Sequence, residues 1–132
     1  MLAFLLHPAT LLTLGGGAGA NARYWLGAWM HRAGADGAFP WATFAVNVSG
    51  SVVLGVVAAL FRNHPEAWRK SWYLLLGTGF CGGFTTFSTF SLETLELVRA
   101  GRPWMAAVYV CGSVAAGLAG VWLATALADG RG

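Results

Sequence analysis

Four long stretches without charged side chains dominate this 132-residue chain. They cover residues 8–22, 38–61, 71–92 and 103–128. A helix needs about 20 apolar residues to cross a bilayer, and all but the first stretch reach that length. The first reaches it only when it is extended through Arg23 to residue 30, which gives a span with one internal cation. We therefore expect a single integral membrane domain, residues 1–132, with four spans at roughly 8–30, 41–61, 72–95 and 103–128.

The composition fits a protein of the lipid bilayer. Only 10% of the residues are charged and 57% are hydrophobic, whereas soluble domains carry about 25% charged residues. The basic residues are scattered over short loops and one helix, so the net charge of +3 does not indicate a nucleic-acid-binding protein. The first residues lack a basic segment and the first apolar stretch leads into others, so we expect no cleaved signal peptide.

The third apolar stretch contains an unusual polar run. Residues 79–91 read Gly-Phe-Cys-Gly-Gly-Phe-Thr-Thr-Phe-Ser-Thr-Phe-Ser. In hydrocarbon, backbone N–H and C=O groups need internal partners, so a helix break is tolerated only beside protein or a polar cavity. We expect the third helix to break at Gly82-Gly83 and to leave carbonyls such as those of Gly82 and Thr85 without helical partners. A central cation or water would satisfy these carbonyls, and the run predicts a polar pathway near the bilayer midplane.

A polar stripe continues beyond the glycine pair. Thr86, Thr89, Glu93 and Glu96 recur at helical spacing on one face, along which water or ions can pass. The alternative is that the threonines bond back to the preceding turn while the glutamates lie at the membrane interface. The spacing alone does not distinguish these interpretations.

Phe87 and Phe90 lie one turn apart beside this stripe. Aromatic residues at this spacing usually pack, but ring edges carry partial positive charge and can face an anion. A full cation in a pore would bind a small, strongly hydrated anion too tightly to release it, whereas ring edges and hydroxyls would compensate its desolvation more gently. The pair is therefore a candidate anion site.

Two polar residues stand in other apolar helices. Asn47 offers amide N–H donors to an anion, or else an interhelical hydrogen bond. Arg23 lies several turns inside the first span, where a charge normally faces a cavity, a partner or backbone carbonyls. Its alternative role is that of a snorkelling or capping residue that holds two subunits together. The residues alone leave both questions open.

The loops show almost no charge bias across the membrane. If the termini share one side, that side receives Arg62, Arg69, Lys70 and Arg131, and the other receives Arg32, Arg99 and Arg102. Because an excess of Lys and Arg sets orientation, this near-tie predicts insertion in both directions. An antiparallel pair of subunits then follows naturally, since an isologous interface lets each half supply part of two equivalent sites. The alternative is that the charge count is too small to determine orientation.

These motifs together resemble the small bacterial fluoride channels of the CrcB or Fluc family, which export fluoride and relieve its toxicity. The segment 16–20 with Arg23 and Tyr24 is similar to the first-span motif, and residues 43–51 resemble the second. Residues 79–90, which end in Thr-Thr-Phe-Ser-Thr-Phe, carry the most specific part of the resemblance. The fourth span fits the family pattern through Tyr109, Ser113 and Gly117.

The resemblance implies a dual-topology antiparallel homodimer in the inner or plasma membrane of a prokaryote, with two fluoride pores along the interface. Arg23 would lie near the aqueous entrance and Glu93 near a vestibule. The carbonyls of Gly82 and Thr85 from both subunits would hold a structural sodium ion at the dimer centre. The pore residues that it implies are Phe87, Phe90, Asn47, Thr43, Ser88, Thr89, Tyr109 and Ser113.

Three other functions compete with this interpretation. A small multidrug antiporter also has four helices and dual topology, but it requires a carboxylate in the first span, where this chain has Arg23. An assembly subunit without transport activity would need only small-residue packing and leaves Asn47 and the phenylalanines unexplained. An enzyme is disfavoured because no nucleophile and base are evident. We expect passive conduction without an organic cofactor.

Overall fold

The computed structural model describes residues 7–35, 37–62 and 65–129. Arg131, which entered the loop-charge comparison, and residues 1–6, which entered the signal-peptide prediction, lie outside these ranges. All regular structure in the described residues is helical. Its elements are α1 (Pro8–Arg32), α2 (Trp41–Phe61), α3 (Glu66–Trp72), a π-helical segment (Tyr73–Cys81), α4 (Gly82–Phe84), α5 (Phe87–Arg99) and α6 (Pro103–Asp129).

Local sequence signals set the helix ends. The His7 ring accepts a hydrogen bond from the Ala9 N–H at 3.3 Å, and Pro8 occupies the first helical position of α1, where no N–H is needed. Gly34 and Gly101 follow α1 and α5 with φ of +79° and +73°. Glycine adopts this left-handed conformation without steric cost, so both helices can stop within a few residues.

The prediction of an all-α fold with four helical passes and a break in the third is confirmed. The first, second and fourth passes are α1, α2 and α6, and the elements from α3 to α5 form the third. Among the described residues, two helices are long and apolar enough to cross a bilayer, with mean hydropathies of 2.1 for Trp41–Phe61 and 1.8 for Pro103–Ala128. The individual span limits stay a prediction.

The break lies at Thr85-Thr86, three positions later in the chain than the expected Gly82-Gly83. Gly82–Phe84 is helical, and the backbone becomes extended at Thr85, with ψ of 161°, and at Thr86, with φ of −150°. The prediction of a break at Gly82-Gly83 is therefore wrong in position. Gly83 serves close packing instead, because a Cβ there would collide with the backbone of Gly16.

Close glycine contacts join α1 to the third pass. A Cβ on Gly15 would meet the Leu75 carbonyl oxygen, and one on Gly19 would meet the Phe80 carbonyl oxygen. Small residues let helix backbones approach closely where lipid offers no hydrophobic driving force. α2 packs along α6, and together these contacts hold the break between α1 and the α2–α6 pair.

Candidate functional site

Asn47 on α2 holds the broken backbone of the third pass. Its Oδ1 accepts a hydrogen bond from the Thr86 N–H at 2.8 Å, and its Nδ2 donates to the Thr86 carbonyl at 3.2 Å. The Thr86 N–H loses its helical acceptor at the break, and the Asn47 amide oxygen replaces it, while the Thr86 carbonyl, which begins α5 as its N-cap, gains the Asn47 amide as an additional donor. The interhelical hydrogen bond that the sequence left open for Asn47 is thus present, and one amide hydrogen remains for another acceptor.

The two hydrogen bonds between Asn47 and Thr86 are called the Asn47 clamp here. A cavity of about 490 Å³ opens beside it. The cavity brings together six of the pore and sodium-site residues that the resemblance implies, and no described charged side chain lines it. Those six are Asn47, Gly82, Thr85, Phe87, Phe90 and Ser113. The Oγ of Ser113 is buried and has no hydrogen-bond partner among the described residues. The cavity is therefore apolar in the main, with a few convergent polar groups.

The two phenylalanines project from the first turn of α5. Their ring centroids lie 5.8 Å apart, and the Phe90 centroid lies 4.9 Å from that of the Tyr109 ring. Phe90 is half-buried, whereas Phe87 is 80% exposed in the single chain. One ring is thus fixed by packing, and the other lies on an open face.

Hydroxyl groups form a connected run at the start of α5. The Thr86 hydroxyl caps the helix by accepting the Thr89 N–H at 3.2 Å and donates to the Thr89 hydroxyl at 3.0 Å. The Ser88 hydroxyl lies 3.3 Å from that of Thr86. Thr86 and Thr89 bond to each other, whereas Thr94 bonds back to the Phe90 carbonyl at 2.7 Å. The back-bonding alternative therefore describes Thr94 and not the stripe threonines.

Glu93 connects three helices. Its Oε1 accepts from the Thr43 hydroxyl at 2.8 Å, and its Oε2 accepts from the Tyr109 hydroxyl at 2.7 Å. Tyr109 is fully buried and Thr43 nearly so. Glu93 also borders a cavity of about 300 Å³ with Glu96 near the loop after α1. The vestibule position expected for Glu93 stays a prediction, and its role in joining α2, α5 and α6 was not foreseen.

Arg23 on α1 also lies close to the break in the third pass. Its Nη1 lies 3.5 Å from the Thr85 carbonyl oxygen, and it borders a cavity of about 140 Å³ with Thr43, Thr86 and Thr89. Arg23 therefore borders a different cavity from the larger one that Phe87 and Phe90 line. The guanidinium contacts backbone carbonyl at the break, as one of its sequence alternatives requires.

The carbonyls at the break suit a hard cation. The Thr86 N–H, which would pair with Gly82 in a continued helix, is directed to Asn47. Among the described residues, the Thr85 carbonyl has only the long contact to Arg23 at 3.5 Å. Gly82 and Thr85 border the same cavity, and carbonyl oxygens are ligands that hard cations prefer. The donor set thus fits a sodium ion. The described residues contain no cluster of His, Cys, Asp and Glu suited to a metal.

The amino-acid sequence points to these residues but not to the hydrogen bonds that pair them. The Asn47 clamp and the Glu93 connection join positions 39 and 50 residues apart. The only sequence signal for either is a polar side chain inside an apolar helix, since such a group must find a partner there. Which partner it finds depends on how the helices pack.

Comparison with known proteins identifies relatives over most of the chain. Residues 10–125 match the family model described as CrcB-like protein, Camphor Resistance (CrcB). A relative from Erythrobacter litoralis, named fluoride-specific ion channel FluC, is 46% identical over 83% of this chain and 82% of its own. One of the same name from Oceanobacillus iheyensis is 42% identical over 89% of this chain and 88% of its own.

A third relative, fluoride-specific ion channel FluC 1 of Streptomyces avermitilis, is 50% identical over 70% of this chain and 76% of its own. All three names describe ion channels and not enzymes, in agreement with the expectation from the residues. The family match includes the Asn47 clamp, the helix break and the Glu93 connection. The chain therefore belongs to the CrcB-like family of helical membrane proteins.

Proposed function

We propose that this protein is a fluoride-selective channel that exports fluoride passively across a prokaryotic cell membrane and relieves its toxicity. The names of its relatives support the ion. The observation that carries the proposal is the cavity at the break, where two phenylalanines, the Asn47 amide and the unpartnered Ser113 hydroxyl converge without a described charged side chain. Such weak partners compensate the desolvation of fluoride while still allowing its release.

The conduction path continues from this cavity along α5. Ser88 and Thr89 extend the hydroxyl run, and Thr43 and Tyr109 follow through their hydrogen bonds to Glu93. Arg23 lies near the aqueous entrance. It borders a different cavity from the two phenylalanines, which suits the proposal, because a guanidinium in the narrow part would hold fluoride too tightly.

The working unit is an antiparallel homodimer of dual topology with two pores at its interface. The cavity is open on one side, and Phe87 is 80% exposed there. A second copy would close this face, and a two-fold interface would create an equivalent cavity on the other side. The near-equal loop charges support insertion in both orientations.

A structural sodium ion belongs at the centre of this dimer. The Gly82 and Thr85 carbonyls of both copies would bind it and thereby hold the two broken helices together. Such an ion would supply positive charge at the break and stabilise the pair. This assignment rests on the donor chemistry of the break.

Fluoride and chloride efflux from proteoliposomes tests the function. Valinomycin clamps the membrane potential, and the variants are Phe90→Ile in the cavity and Trp122→Leu on an exposed face of α6. We expect rapid efflux of fluoride but not chloride, lost in Phe90→Ile and retained in Trp122→Leu. Absence of fluoride efflux from a verified folded dimer would overturn the channel proposal and favour the assembly-subunit alternative.

A further inference from the structure

One surface outside the ion pathway combines basic and aromatic side chains. It lies where α2 ends at Phe61 and α3 begins the third pass. We call it the basic aromatic patch, and its members are Arg62, Trp68, Arg69, Lys70 and Trp72. None of them borders the described cavities at the break or the vestibule.

Aromatic stacking fixes the patch to the end of a membrane helix. The Phe61 and Trp72 ring centroids lie 5.8 Å apart and the rings are nearly parallel, at 6°. The Trp68 ring follows at 6.3 Å from that of Trp72. Phe61 is the last residue of an apolar candidate span, and Trp68 is 62% exposed. Because exposed tryptophans prefer the boundary between hydrocarbon and headgroups, the patch lies at headgroup depth.

The charge of the patch is mainly positive. Arg62, Arg69 and Lys70 are exposed, and Glu66 is the one acid on α3. Neither Arg69 nor Lys70 forms an ion pair with a described residue, so both remain available to an external anion. Basic side chains next to a membrane-spanning segment attract anionic lipid headgroups.

We infer that the basic aromatic patch binds the headgroup of an anionic phospholipid. Arg69 and Lys70 contact its phosphate, and the rings of Trp68 and Trp72 pack on the glycerol and the upper acyl chain. The lipid braces the junction of α2 with the third pass. This inference does not depend on which ion the protein conducts.

Thermal unfolding of the purified full chain in detergent tests the inference. Short-chain phosphatidylglycerol is the anionic probe, phosphatidylcholine of equal chain length is the neutral control, and glycerol phosphate is the soluble one. The test variant is Arg69→Gln with Lys70→Gln. The matched variant is Arg99→Gln with Arg102→Gln, which removes two charges from a different loop.

We expect phosphatidylglycerol to raise the unfolding temperature of the unchanged chain and of the matched variant, with no comparable effect of the other two additives. Loss of Arg69 and Lys70 should weaken the apparent affinity about thirtyfold, at about 1 kcal/mol for each basic residue. Equal weakening in the matched variant would overturn the site in favour of general charge attraction. An equal response to glycerol phosphate would overturn the lipid assignment.

A second measurement does not depend on unfolding. Brominated phosphatidylglycerol in vesicles should quench more tryptophan fluorescence in the unchanged chain than in Trp68→Phe, and more than brominated phosphatidylcholine does. Equal quenching by both lipids would contradict the inference even if the double variant fails to fold.

Discussion

Individual polar residues in this protein stabilise the fold through bonds that span helices. Asn47 pairs with both backbone groups of Thr86, and Glu93 accepts from Thr43 and Tyr109. In an apolar setting a polar group without a partner is costly. Removing one partner therefore lowers the free energy of unfolding by more than the net contribution of one hydrogen bond. Residues with a proposed place in the pathway therefore have a structural role as well.

Replacement of Asn47 by aspartate should suppress fluoride flux. The carboxylate would lose the donor to the Thr86 carbonyl and put negative charge beside the cavity. Efflux from proteoliposomes measures the effect, with Ser49→Ala as control, because the Ser49 hydroxyl donates to the carbonyls of Ala45 and Val46 within α2. Unchanged flux in Asn47→Asp would remove Asn47 from the pathway.

Replacement of Tyr109 by phenylalanine should lower the free energy of unfolding by about 1–3 kcal/mol, since a Glu93 oxygen loses its donor while the ring packing is retained. Denaturation in detergent measures the loss. Tyr24→Phe is the control, because Tyr24 is 66% exposed. Equal stability of Tyr109→Phe and the unchanged chain would show that this hydrogen bond contributes little.

At the scale of helices, glycines decide how closely α1 approaches the third pass. Gly15 and Gly19 lie against backbone atoms of the π-helical segment, whereas Gly17, on another face of α1, has open space around it. This approach also brings the Arg23 guanidinium on α1 to 3.5 Å from the Thr85 carbonyl at the break. Small residues thus position a polar contact that they do not make themselves.

Alanine at Gly19 should destabilise the protein by about 1–3 kcal/mol, because its Cβ would collide with the Phe80 carbonyl and force the helices apart. Alanine at Gly17 should be tolerated, since nothing lies within 4 Å of its Cβ position. Thermal unfolding of both variants makes the comparison. Equal destabilisation of the two variants would indicate that replacing any glycine in α1 is costly, and that the close contact at Gly19 is not the cause.

For the whole molecule, the single chain leaves its phenylalanine cavity open, and a second copy in opposite orientation is proposed to close it. This arrangement predicts that every loop is found on both sides of the membrane. Loop charges that differ little between sides would permit it.

Cysteine labelling in intact cells checks the orientation. In a background with Cys81→Ala and Cys111→Ala, Glu66→Cys and Ala100→Cys place single thiols at connections on opposite sides. An impermeant maleimide should label about half of each, because roughly equal insertion both ways is expected. Full labelling of one and none of the other would contradict dual topology.

The sequence by itself determined the helical membrane architecture and the broken third pass. In a bilayer, the backbone N–H and C=O groups of a long uncharged run find hydrogen-bond partners within the run only when it is helical. The helices α2 and α6 therefore follow from residues 41–61 and 103–128 alone. The family motifs likewise identified the polar residues around Phe87 and Phe90. These features depend on local composition and order, which a sequence contains directly.

Only the tertiary structure decided where the third pass breaks and how its polar groups are paired. At Thr85-Thr86, Asn47, 39 residues away, accepts the Thr86 N–H in place of the helical acceptor and donates to the Thr86 carbonyl. Glu93 likewise finds Thr43 and Tyr109 only after α2, α5 and α6 pack together. The physical reason is that a hydrogen bond between helices depends on their relative placement, which no local pattern specifies.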